Sequence, residues 1–126
     1  MLGNAVYKVL KDKYRLVLGI RNPAKLKLLE AIHGDTQNHT VLEFDATKIF
    51  EEFKSKKGHS GEDYLSRFTG LAGKVDYVIN ALGVTVPGSA ADPQNALFLN
   101  STLPHLLAGH YGAKLINITT DCAYNG

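Results

Sequence analysis

The sequence predicts an open, doubly wound parallel α/β sheet. Four short apolar segments rich in Val, Leu and Ile alternate with segments of helical period along the 126 residues. The stretches between apolar segments are long enough for right-handed helical crossovers, the connection that parallel strands require.

The first element reads as a helix, because Leu2, Ala5, Val6, Val9 and Leu10 fall at i, i+3, i+4, i+7 and i+8 and so share one face that should be buried. Arg15-Leu-Val-Leu-Gly-Ile20 follows as a short apolar run of the kind that sits in a sheet covered on both faces. Asn22-Pro23 then supplies a helix cap followed by proline, whose missing N–H costs nothing in the first turn. Leu26, Leu29 and Ile32 continue one face of this helix, which should end near Gly34. Thr40-Val-Leu-Glu-Phe44 is the second strand, and Ile49, Phe50 and Phe53 suggest a short helix before the polar segment that reads as a mobile loop over 54–61.

Ser60 and Asp63 have the spacing of a capping box, with the apolar stripe Tyr64, Leu65, Phe68, Leu71 and Ala72 behind it and Gly73 at its end. Asp76-Tyr-Val-Ile-Asn80 is the third strand. After a loop through Gly83 and Pro87, Asp92-Pro93 opens a helix that runs towards Gly109. Pro104 lies inside that helix, so it either kinks there or frees the Asn100 carbonyl for another partner. Lys114-Leu-Ile-Asn-Ile-Thr119 is the fourth strand. No repeat, low-complexity tract or linker-like shift marks a domain boundary.

Composition narrows the class. At 44% hydrophobic residues and a net charge of +2 the chain is not of the disordered type, and it has no apolar run of the roughly 20 residues a membrane span needs. Fourteen Lys and Arg against 12 Asp and Glu leave no footprint for nucleic acid, and the local basic stretch from Lys8 to Arg15 reads as a solvated face. The single cysteine, Cys122, excludes an internal disulfide, and with no secretory signal near Met1 the expected compartment is a reducing cytoplasm. The five histidines form no ligand constellation, since His105 and His110, five apart, point about 140° from each other around a helix, so no metal is expected.

Ligands of open α/β sheets bind beyond the carboxyl ends of the strands, which directs attention to four clusters. Gly19-Ile-Arg21-Asn22 lies where a dinucleotide site carries an acid for the ribose 2′-hydroxyl or an arginine for a 2′-phosphate. Arg21 with no acid favours NADP over NAD, which stays open, as does a plain surface arginine. Asp45, next to Ala46, could accept from an adenine amine or be an ordinary loop aspartate. Asn80-Ala81-Leu-Gly83 offers small residues for close approach to ribose or phosphate. Thr119-Thr120-Asp121 presents hydroxyls to a substrate oxygen or caps the strand end. A sheet of this kind normally opens with a strand and a glycine-rich turn, and Met1-Leu-Gly3 fits only the end of such a turn. The sequence therefore reads as truncated at both ends.

Met1-Leu-Gly3, Val78-Ile-Asn-Ala-Leu-Gly83, Asn100 within a proline-containing helix, and Ile118-Thr-Thr-Asp-Cys-Ala-Tyr-Asn-Gly126 together resemble the extended short-chain dehydrogenases/reductases. Within that superfamily they are most similar to the dTDP-4-dehydrorhamnose reductase branch. The resemblance spans essentially the whole chain. It implies a Rossmann-like fold, with residues 1–126 a partial NAD(P)-binding domain and the substrate domain absent, and hydride transfer between nicotinamide and a nucleotide-linked keto-sugar. It admits a homodimer.

By the same resemblance Gly3 packs near the pyrophosphate, Arg21 near the 2′-phosphate, and Asp45 with Ala46 around the adenine. Asn80, Ala81 and Gly83 line the ribose and phosphate path. Thr120 matches the catalytic hydroxyl, with Thr119 beside the nicotinamide and Asn100 in the supporting helix. The family's tyrosine and lysine have no counterpart at their place in the pattern, because Tyr124 would need its lysine beyond Gly126. The chain by itself is accordingly expected not to turn over. A nucleotide-sugar epimerase or dehydratase, and a non-catalytic NAD(P)-binding regulatory subunit, are the alternatives. In the strand order 3-2-1-4-5 the first strand lies between those at Leu16 and Val78, whose facing edges are left unpaired unless they close the gap.

Overall fold

The computed structural model describes residues 2–34, 36–55, 62–84 and 86–118. Among the described residues the chain is mixed α/β, with four strands in two parallel two-stranded sheets. Its contacts divide it into two compact units, Met1–Gly73 and Lys74–Gly126.

In the first unit α1 (Leu2–Leu10), β1 (Val17–Ile20), α2 (Leu26–His33), β2 (Thr40–Glu43), α3 (Ala46–Ser55) and α4 (Glu62–Ala72) follow one another. β1 and β2 run parallel in the register Val17↔Thr40 to Ile20↔Glu43. Asn22 caps the turn before α2 as its sequence requires, its side chain accepting the Ala24 N–H at 3.0 Å, with Pro23 next. Gly34 and Gly73 end α2 and α4 with φ of +87° and +69°, a conformation that favours glycine.

α1 departs from its sequence pattern. Leu2, Ala5 and Val9 are exposed and Val6 and Leu10 half-buried, while the side chain taken into the interior is Tyr7. An apolar stripe fixes only which face could be buried; here packing against the histidines of the 33–39 region selected the neighbouring face. β1 is half-buried rather than covered on both faces, and Ile32 and Leu71 are exposed on α2 and α4. The core of this unit is Phe44, Ala46, Ile49 and Leu65, with the Phe68 ring 4.5 Å from that of Phe44. α3 is longer than the short helix expected, because Asp45 caps it: the Thr47 N–H donates to Asp45 Oδ1 at 3.0 Å and the Thr47 hydroxyl donates to the same oxygen. It also includes residues 54 and 55 of the expected mobile loop, while 56–61, and with them Ser60 of the predicted capping box, lie outside the described residues.

In the second unit β3 (Val78–Asn80) pairs in parallel with β4 (Leu115–Asn117), Val78 opposite Leu115 and Asn80 opposite Asn117. Between them lie α5 (Val86–Ala91), α6 (Pro93–Leu97) and α7 (Leu103–Tyr111). α5 occupies the stretch after Gly83 that reads as loop, since Pro87 falls in the first turn of a helix, where proline is tolerated. Asp92 caps α6 as expected, accepting the Asn95 N–H at 3.1 Å. The helix continuing towards Gly109 does not simply kink before Pro104: residues Phe98–Thr102 take a wider π-helical turn, and the Leu103 N–H donates to the Phe98 carbonyl five residues back. Leu103, Leu107, Phe98 and Ala96 form the core.

Candidate functional site at the strand ends

At the end of β3 the Asn80 side chain is 5% exposed and makes bonds in two directions. Its Nδ2 donates to Asn117 Oδ1 at 2.7 Å, and its Oδ1 accepts the Leu82 N–H at 3.2 Å. The Asn80 carbonyl accepts the Ile118 N–H at 3.2 Å, continuing the ladder past β4. Asn100 lies within the π-helical turn, and its Oδ1 accepts the Val84 N–H at 3.1 Å. Segment 81–84 is thus held at two of its amides by two asparagines.

This arrangement limits what the segment can do. The Leu82 and Val84 N–H groups are occupied by side chains, so they are not donors waiting for a phosphate. Gly83 leaves room: a Cβ there would meet only Asn100 Oδ1, at 3.6 Å, an ordinary contact. Ala81 is half-buried and Gly83 exposed, so the surface there carries small residues. The structure brings Asn80, Ala81, Gly83 and Asn100 together within the second unit.

In the first unit, Arg21 is exposed just beyond the end of β1. Asp45 follows β2, with one carboxylate oxygen committed to the α3 cap, and its N–H donates to Tyr64 Oη at 2.9 Å. Ala46 is buried, 7% exposed, so its side chain serves the core. Gly3 lies in the first turn of α1 and is exposed. Thr119 and Thr120, with Asp121, Cys122 and Tyr124, lie outside the described residues.

Residues that the sequence did not single out also shape the strand ends. Asn117 is the partner of Asn80, and its signal was available: a polar residue interrupting Leu115-Ile-Asn-Ile118 as Asn80 ends its own apolar run. Tyr64 fastens α4 to the end of β2, its hydroxyl also donating to the Glu43 carbonyl at 3.4 Å. Glu52 of α3 accepts the Tyr64 N–H at 3.0 Å and Arg67 Nη2 at 3.3 Å, capping the neighbouring helix rather than its own. These groups border an open groove of about 640 Å³ between α3 and α4. Lys48 pairs with Glu43 there, and that hydrogen-bonded carboxylate holds its ammonium above the ordinary lysine value.

Tyr7 and Lys11 have the four-residue spacing of a tyrosine-lysine catalytic pair, but their surroundings do not suit that role. The Tyr7 hydroxyl is buried, and Lys11 Nζ bonds Asp12 at 3.0 Å. Among the described residues no group of three or more His, Cys, Asp or Glu is placed to hold a metal, and no helix is long and apolar enough to cross a membrane. Comparison of the chain with family models, curated proteins and solved structures gave no match.

Proposed function

We propose that this chain is the cofactor-binding part of an NADP-dependent reductase of the extended short-chain dehydrogenase/reductase type, acting on a nucleotide-linked keto-sugar. The observation that carries the reading is the strand pairing. A doubly wound sheet of order 3-2-1-4-5 has one parallel pair on each side of its first strand. β2 with β1 has the neighbour relation of strands 3 and 2, and β3 with β4 that of strands 4 and 5. The asparagines at the ends of β3 and β4 support it further, because that edge of the sheet is where ligands of such folds bind.

NADP, when bound, supplies the hydride. Arg21 would hold the 2′-phosphate through paired charge-assisted bonds, and the free oxygen of Asp45 would accept from the adenine amine. Asn80 and Asn100 would keep segment 81–84 in one shape, so that Ala81 and Gly83 present a flat, small-residue surface to the ribose. NAD is the second choice of cofactor, and a cytoplasmic location accompanies the assignment.

Titration of the chain with NADPH and NADH, followed by cofactor fluorescence, tests the reading, with Arg21→Ala measured in parallel. NADPH should bind more tightly than NADH, and Arg21→Ala should remove the difference, worth about 1.5–3 kcal/mol for a bond to a charged group. Equal affinity for both would reject the NADP assignment, and no binding of either by the folded chain would reject the cofactor-binding role.

A further inference from the structure

In the first unit three aromatic side chains from separate segments meet. The Tyr7 ring of α1 lies edge-on to His33 at the end of α2, with centroids 5.5 Å apart, and to His39 before β2, at 5.7 Å. Tyr7 is 4% exposed. Its hydroxyl and His33 Nε2 are both buried and make no hydrogen bond. His39 does make one: its Nδ1 accepts the Leu16 N–H at 3.3 Å. The Leu16 carbonyl in turn accepts the Thr40 N–H at 2.9 Å, so residues 39 and 40 hold both polar groups of the residue that leads into β1.

We propose that His39 is a pH-sensitive latch: its neutral imidazole fastens the start of β1 to the turn before β2, and protonation in mildly acidic solution releases it. An imidazole accepts a hydrogen bond only while one ring nitrogen lacks a proton; in the imidazolium both nitrogens are donors. Protonated His39 therefore turns an N–H towards the Leu16 N–H, and the bond is lost. The groups facing it offer little to hold the charged form in place. From α1 comes the uncharged Tyr7 ring, and from α2 comes His33, a second imidazole that brings no negative charge. Glu30, also of α2, already accepts the Thr36 hydroxyl at 2.7 Å, and the flanking cations Lys8 and Arg15 are exposed. The latch lies within the first unit and is independent of cofactor binding.

Hydrogen exchange at the Leu16 amide reads the latch directly. Between pH 7.5 and 5.5 its protection, corrected for the intrinsic exchange rate, should fall about tenfold, the effect of one proton taken up only in the released form. The Ile118 amide, bonded to the Asn80 carbonyl in the second unit, should keep its protection. In His39→Asn the side-chain oxygen can accept in place of Nδ1 without titrating, and the pH effect should vanish. Unchanged Leu16 protection in the native chain, or the same tenfold fall in His39→Asn, would overturn the proposal. Should His39→Asn not fold, His33→Asn decides: Leu16 protection should still fall between pH 7.5 and 5.5 there, and loss of that fall would overturn the proposal.

Discussion

Across the end of the β3–β4 pair, Asn80 donates to Asn117 at 2.7 Å, and the two residues sit opposite each other in register. The bond couples the strand ladder to segment 81–84, because the other end of the Asn80 amide accepts the Leu82 N–H. Asn117→Ala would leave the Asn80 amide buried without its acceptor, at a cost of about 1–3 kcal/mol. Asn117→Asp, which keeps an acceptor, should cost less. Urea midpoints of the two variants check the order.

Gly19 is required by a close approach. A Cβ there would stand 3.1 Å from Phe44 Cβ and 3.4 Å from Phe68 Cζ, and Phe44 is itself buried in the core. Gly19→Ala should destabilise the first unit by about 1–3 kcal/mol, the range for overpacking. Pairing it with Phe68→Leu, which vacates one of the two contacts, should recover part of that loss, and thermal unfolding of single and double variants measures the coupling.

Glu52 caps a helix to which it does not belong. Glu52→Ala removes the acceptor of the Tyr64 N–H and should cost about 0.5–2 kcal/mol, as the loss of a helix cap does. Arg67→Ala breaks the exposed ion pair and removes the guanidinium 5.9 Å above the Tyr64 ring, and should cost less, about 1 kcal/mol. Denaturant unfolding of both variants tests whether the cap or the charge pair matters.

Burial raises the pKa of the Tyr111 phenol. The sign follows from which form each state favours: the folded chain holds the phenol proton after the unfolded chain has lost it. The stability associated with Tyr111 is therefore complete below the ordinary tyrosine value of about 10 and declines as pH rises through the folded value. The Tm of the native chain should fall more steeply above pH 10 than that of Tyr111→Phe, and identical slopes would show that the phenol is not titrating late.

Local chemistry in the sequence specified much of the fold. Asn22-Pro23 and Asp92-Pro93 start helical segments because side-chain oxygen and fixed φ act within one turn, and Gly34 and Gly73 end helices because the left-handed conformation suits a residue without Cβ. All four apolar runs contain strands. Of the candidate site, Asn80, Asn100 and Gly83 could be read from their place after a strand or within a proline-containing helix. Asn117 carried a signal as the polar interruption of an apolar run, but Glu52 and Tyr64 could not be read, because each acquires its role from a partner 12 or 19 residues away.

The alternation of helix and strand, and hence the parallel α/β class, was determined by the sequence alone, since periodicity and end signals are properties of a few consecutive residues. Tertiary structure decided which face each element buries and which side chains meet. α1 has its apolar stripe at Leu2, Ala5 and Val9, yet it buries Tyr7, because burial depends on what stands opposite, and opposite stand His33 and His39. Only contacts made over such distances along the chain turn a tyrosine and two histidines into one cluster.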